Sequence, residues 1–234
     1  MTSLDSYLQQ HFLSKAEFAI HHDTTVDALD ALIAAHAFPQ ASYVVTGDGY
    51  IVSAVFGRLP GSGALAGEYF RPEYDRWFEL GRGEAPDEAA RRVREVLNAE
   101  LKAALISLHG DTYRLADAFD DRGVERPGLA RRLRSYLRYF LNGTFGLCVA
   151  DPSRGESIAR KEVLQEKLAA LTADGTRTDP PGVSAVELRT LIDAYAAVSM
   201  PFSPVEYALS SRKRLVDDLR GLLRDERADR RTEA

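Results

Sequence analysis

Apolar side chains recur at helical spacing through most of the chain after residue 69 and alternate at strand spacing only near its beginning. Over 87–108, Val93, Val96, Leu97, Leu101, Ala104, Leu105 and Leu108 gather on one side at ~100° per residue, with Arg91, Glu95, Asn98 and Lys102 elsewhere. That spacing predicts a long amphipathic helix. Over 129–141, Leu133, Tyr136, Leu137 and Phe140 face inward and Arg131, Arg134 and Arg138 fall on the far side. Two further stripes run through 158–171 and 205–223. Helix starts are written plainly. Ser14-Lys15-Ala16-Glu17, Ser153-Arg154-Gly155-Glu156 and Ser184-Ala185-Val186-Glu187 read as capping boxes, and Ser203-Pro204-Val205-Glu206 places proline at a first helical position. Asp111 is expected to cap a short helix through Phe119, and Asn142-Gly143 to terminate the helix before it. The box at Ser153 predicts a helix over 154–173.

Before residue 57 the pattern differs. A helix opened by Ser14 and another opened by Thr24, with Val26, Leu29 and Ile33 on one face, precede Pro39. Tyr43-Val44-Val45-Thr46 and Tyr50-Ile51-Val52 then flank Gly47-Asp48-Gly49, which predicts a β-hairpin. The stretch 57–67 turns to Gly, Pro, Ser and Ala and reads as a flexible connection. The expected fold class is therefore mainly α: a helix-turn-helix with β-hairpin over 1–56, a linker over 57–68, a helical bundle over 69–223 and a charged tail over 224–234. Cap signals give the bundle about six helices.

Bulk composition narrows the function classes. The 234 residues are 45% hydrophobic and 28% charged, and the formal charge of −5 gives no general attraction to nucleic acid or to an anionic membrane. The helix that would enter a DNA groove carries Asp23, Asp27 and Asp30 and no Lys or Arg, which argues against nucleic acid as a partner. No apolar run reaches the ~18 residues needed to span a bilayer, so no membrane partner is expected. The single cysteine, Cys148, excludes an internal disulfide, and the first residues lack a signal pattern, so the expected compartment is the cytoplasm.

Two cations interrupt the apolar stripes. Lys161 lies about 60° from Ile158, Leu164 and Leu168, and Arg212 projects near the middle of a stripe formed by Leu209, Leu215, Val216, Leu219, Leu222 and Leu223. An unpaired buried cation costs several kcal/mol, so each needs a carboxylate, a set of carbonyls or an anionic ligand. One reading is a buried ion pair. In the other, Arg212 grips a carboxylate or phosphate by its planar fork, while desolvated Lys161, its pKa lowered, acts as proton donor, base or amine nucleophile. Cys148, between apolar neighbours, is a small core hydrophobe or, given a nearby cation, a nucleophile. The aromatic run Tyr69-Phe70-Arg71-Pro72-Glu73-Tyr74-Asp75-Arg76-Trp77-Phe78 packs a core, seals a seam or lines a pocket, and Tyr74 and Tyr139 are candidates for binding substrate.

Other constellations carry less. His21-His22-Asp23 invites a metal, but neighbouring helical residues point ~100° apart and the sequence shows no second ligand cluster. No metal and no cofactor are expected, and the glycines match neither the P-loop nor the dinucleotide spacing. Arg131, Arg134 and Arg138 form a solvated face or a dock for an acidic partner.

Two resemblances add context. The stretch 13–45 resembles the small winged helix-turn-helix modules of bacterial regulators, including the mercury-resistance type. The pieces Tyr136-Leu137-Arg138-Tyr139-Phe140-Leu141-Asn142-Gly143-Thr144-Phe145-Gly146-Leu147-Cys148, Ile158-Ala159-Arg160-Lys161-Glu162, Phe202-Ser203-Pro204 and Ser210-Ser211-Arg212 are similar to a bacterial family labelled natural-product biosynthesis proteins. That likeness implies a biosynthetic setting without supplying a reaction. The expected function is a cofactor-independent enzyme or intermediate-binding protein acting on a small anionic precursor. Lys161 and Cys148 would be its catalytic residues, and Arg212, Tyr74 and Tyr139 would bind substrate. The alternatives are an accessory protein that docks on a biosynthetic enzyme or carrier protein, and a transcriptional regulator.

Overall fold

Ser3 caps the first helix of the computed structural model, which describes residues 3–224, and the fold is mainly helical around a small antiparallel sheet. Beyond Arg224, the charged tail expected from the sequence lies outside the described residues. Helix α1 (Leu4–His11), strand β1 (Leu13–Ser14), α2 (Lys15–His21) and α3 (Val26–Ala34) come first. The capping box at Ser14 forms as expected, whereas Thr25 rather than Thr24 caps α3 through its hydroxyl. Strands β2 (Tyr43–Thr46), β3 (Tyr50–Ser53), β4 (Gly57–Pro60) and β5 (Gly67–Phe70) complete a five-stranded sheet in the order β1-β5-β2-β3-β4.

The sheet corrects the expected linker. Residues 57–60 pair with β3, setting Leu59 opposite Ile51, and β5 pairs with both β1 and β2. Glycine serves close packing here: a Cβ on Gly61 would stand 2.9 Å from Ile51 Cγ2 and 3.2 Å from Leu4 Cδ2. Pro60 is tolerated because β4 is an edge strand. One apolar core then crosses the boundary expected at 57–68, joining Leu8, Phe18 and Ile51 to Trp77, Leu97 and Phe140.

Helices α4 (Asp75–Gly81), α5 (Pro86–Leu108), α6 (Pro127–Leu141), α7 (Thr144–Cys148), α8 (Gly155–Leu171) and α9 (Ala185–Val198) come next, and a last helix, α10, covers 211–224. The aromatic run lies mostly in the large core, with Phe70, Tyr74, Trp77 and Phe78 buried. No helix forms over 111–119. There the backbone donates to a side chain and to turn carbonyls, Leu115 N to His109 Nδ1 and Ala118 N to Leu115 O, and no continuous run of helical bonds forms. Ser153 does not cap α8 either; the Gly155 N–H is met by Glu100 Oε2 of α5 at 2.8 Å.

Helix α8 is a wall shared by two cores. Ile158, Ala159 and Val163 belong to the large core, and Leu164 and Leu168 to a smaller one built with Leu188, Ile192, Tyr195, Leu215, Val216 and Leu219. Helix α10 starts later than its apolar stripe suggests, at the hydroxyl of Ser210, which accepts from Lys213 N. Its segment Lys213–Asp218 is a wider π-helical turn. Of the expected stripe, Leu215, Val216, Leu219 and Leu223 are buried, whereas Leu209, in a 3-10 turn before α10, and Leu222 are exposed.

Candidate functional site

Lys161 occupies the junction between the two cores. It is 3% exposed, flanked on α8 by Ile158 and Leu164, and its Nζ donates to Glu162 Oε1 at 2.8 Å. A cavity of about 400 Å³ opens over it, lined by Tyr139, Thr144, Phe145, Cys148, Lys161, Glu162, Gln165, Phe202, Ser211 and Arg214. Three of the five side chains singled out from sequence, Lys161, Cys148 and Tyr139, thus line one cavity. Helix α6 contributes Tyr139, α7 contributes Cys148, and α10 supplies Ser211 and Arg214. Behind Lys161, Tyr195 of α9 bonds Gln165 Oε1 at 3.1 Å and Ser211 Oγ at 2.9 Å, tying α8, α9 and α10 together.

Electrostatics assign the protons. Burial disfavours charge on Lys161, but the pull of Glu162, together with that of Cys148 and Tyr195 where these are ionised, outweighs it and raises the pKa above the ordinary lysine range. Burial also pushes the Cys148 thiol up, more strongly than the Lys161 ammonium pulls it down. A neutral thiol is no anion, so at neutral pH the Glu162 carboxylate keeps Lys161 charged. The expectation of a lowered Lys161 pKa is corrected accordingly: the ammonium suits anion anchoring, and it is a weak proton donor as well as a poor base or amine nucleophile.

Arg212 and Tyr74 are placed elsewhere. Arg212 is half-buried, and its Nη1 donates to Ala196 O (2.7 Å), Ser199 O (2.7 Å) and Ser199 Oγ (2.8 Å), closing the C-terminal end of α9. Of the three partner types open to it, the carbonyls hold that nitrogen, and Arg214 is the α10 arginine at the cavity. Tyr74 is fully buried, with its hydroxyl against Gly146 and its pKa raised by burial. The cavity therefore lies where α6, α7, α8 and α10 meet the turn between β3 and β4, whose Val55 and Phe56 also line it, and no residue of the aromatic run is in its lining. Arg131, Arg134 and Arg138 form an exposed face on α6.

Other charged hollows are already neutralised. A groove of about 630 Å³ between α1, β1 and β5 contains Lys15 and Glu68, which pair with each other while Lys15 also holds Asp30 at 2.7 Å. Deeper in the fold, Tyr43 donates to the fully buried Glu206 at 2.5 Å, and burial raises the pKa of that carboxyl despite hydrogen bonds from Tyr43 and Ser53. A raised folded-state pKa means that the native chain holds this proton more tightly than the unfolded one. Its contribution to stability is present at low pH and is lost as pH rises from the unfolded value of ~4.3 through the folded one. Glu206→Gln removes the dependence, so the variant's stability relative to wild type should be greater at about pH 7.5 than at about pH 5, as read by urea unfolding at both.

The sequence could have revealed Glu162, adjacent to Lys161, and Ser211 and Arg214, close to Arg212. Tyr195 carries no local signal, because its partners lie on other elements, and Glu206, read as part of a helix start, instead turns inward to Tyr43 of β2. Among the described residues, no helix is long and apolar enough to cross a membrane. No curated protein and no solved structure matches the chain. Every polar side chain lining the cavity lies within residues 93–224, the segment that matches the family of unknown function DUF6058; that match takes in more than half of the chain, and the chain belongs to this family.

Proposed function

We propose that this chain binds a small anionic intermediate of natural-product biosynthesis in the cavity over Lys161, as a cofactor-independent enzyme or intermediate-binding protein of the bacterial cytoplasm. The observation that supports this reading is a charged lysine, 3% exposed, whose ammonium borders a cavity large enough for a metabolite. Only part of its donor capacity goes to Glu162, since an ammonium carries three N–H groups. Arg214, whose Nε lies 3.0 Å from Asp174 Oδ2, adds a guanidinium to the lining, and the Tyr139 and Phe145 rings and the neutral Cys148 thiol give apolar surface beside a proton. In a catalytic version Lys161 stabilises negative charge that develops on the substrate, and the thiol stays protonated until a bound substrate changes its surroundings.

The test is a thermal-shift screen of small carboxylates and phosphate monoesters on wild type, Lys161→Met and Cys148→Ser. A ligand at ~100 times its Kd stabilises the fold by ~2.7 kcal/mol, a readily measured rise in Tm. The rise should vanish in Lys161→Met; Glu162, at 21% side-chain exposure, can hydrate when its partner is lost, and urea unfolding of the ligand-free variant checks that it stays folded. Equal shifts in wild type and Lys161→Met would remove the cavity from consideration.

The exposed face of Arg131, Arg134 and Arg138 supports a second reading, an accessory protein docked on an acidic biosynthetic enzyme or carrier protein. In either case α2, α3 and the β2–β3 hairpin make a helix-turn-helix-like module suited to protein contact beside a helical bundle. Asp27 at the start of α3 and Asp30 within it disfavour use as a DNA-binding regulator.

A further inference from the structure

The adjacent histidines closing α2 meet a carboxylate that their own helix does not supply. Asp75, the first residue of α4, brings Oδ1 to 2.9 Å from His22 Nε2 and Oδ2 to 3.9 Å from His21 Nε2. One ligand atom from each of the three residues lies within 4.8 Å of the others. We propose that His21, His22 and Asp75 form a binding site for a divalent transition metal, zinc in the first instance, which joins the end of α2 to the start of α4.

Three features favour a metal over a simple ion pair. The first is size: zinc bonds of ~2.0–2.2 Å at tetrahedral angles set ligand atoms ~3.3–3.5 Å apart, a spacing within the range these side chains span. His21, at 61% side-chain exposure, is free to rotate and close the remaining gap. The second is direction. Both imidazoles bring Nε2 toward the same carboxylate, so the two nitrogens converge on Asp75. The third is support: His22 is 7% exposed, held between the rings of Phe18 and Phe78 at 4.4 and 4.7 Å, and its Nδ1 lies 3.4 Å from Glu79 Oε1. A carboxylate on the far nitrogen of a ligating histidine fixes its tautomer and strengthens it as a donor. Two nitrogens and one oxygen leave a position for water, and imidazole with carboxylate suits zinc or cobalt(II).

The experiment titrates the untagged full-length chain with Co²⁺ alone, monitored by visible absorption, and then displaces it with Zn²⁺ alone. Wild type should bind one equivalent and develop the absorption of a low-symmetry cobalt site, and Zn²⁺ should raise Tm. His21→Ala and Asp75→Asn should each weaken binding by at least about tenfold, and Glu79→Gln by about 10- to 100-fold, as loss of an outer-shell partner does. His21 is exposed, so His21→Ala keeps its metal-free Tm and separates loss of the ligand from loss of the fold. Absence of stoichiometric binding, or unchanged affinity in both His21→Ala and Asp75→Asn, would overturn the assignment.

Discussion

Arg71→Met should lower the folding stability by about 3–5 kcal/mol, the range for removing one partner of a buried charged network. Arg71 is 2% exposed and holds three backbone carbonyls at and after α7: Gly146 O at 3.2 Å and Val149 O at 3.5 Å through Nη1, and Ala150 O at 2.9 Å through Nη2. Its Nε donates to Glu73 at 2.8 Å. Methionine fills much of the volume but donates nothing, so these carbonyls lose their charged donor while still shielded from water. Glu73 is part-exposed and can hydrate, which places most of the loss on the carbonyls. At ~2–4 °C per kcal/mol for a chain of this size, Tm should fall by about 10 °C, and urea unfolding should show a lower midpoint with an unchanged slope. A loss below ~1 kcal/mol would mean that water reaches those carbonyls and that Arg71 is not the clasp described.

The second large effect is expected at Gly143. Its φ of +81° is left-handed, and a Cβ there would stand 2.7 Å from the carbonyl oxygens of both Gln40 and Ala41. Neither side can retreat cheaply. Gln40 N donates to Leu141 O at 2.8 Å and Ser42 Oγ donates to Gly143 O at 2.9 Å, so the α6–α7 corner and the chain before β2 are bound on both flanks. Gly143→Ala combines backbone strain with overpacking and should cost about 2–5 kcal/mol. Gly123→Ala is the matched control: φ is +76° but nothing lies within 4 Å of the added carbon, so only the ~1–2 kcal/mol of strain should appear. Equal losses in the two variants would show that the close approach at Gly143 is relieved by small movements.

What the sequence disclosed depended on how local the cause was. The boxes at Ser14 and Ser184 and the stop at Asn142-Gly143 are contacts within a few residues, and all three form. The start of α8 was found without its true cap, because Glu100 reaches it from α5. Lys161 was legible because α8 keeps regular spacing between two cores, so a cation inside the stripe had to be buried. Arg212 was misplaced because α10 starts later than its apolar stripe suggests and then widens. The stretch 57–67 reads as flexible, although its two ends pair in the sheet as β4 and β5 and Gly61 packs closely on Ile51 and Leu4. The carboxylate facing His21 and His22 was invisible for the same reason as the partners of Arg71: each pairing joins positions distant along the chain.

The wide turn of α10 also sets the orientation of the residues beyond it. A π-helical segment accommodates a residue that a regular helix of equal length would not, and each residue inserted or removed swings the downstream side chains by ~100°. Taking a single residue out of 213–218 would restore ordinary winding, yet it would bring Leu219 and Leu223 round away from the positions at which they are now buried. The irregularity thus works as a coupling between two differently oriented half-helices: the first presents Ser211 and Arg214 to the cavity, and the second turns its leucines toward α8 and α9.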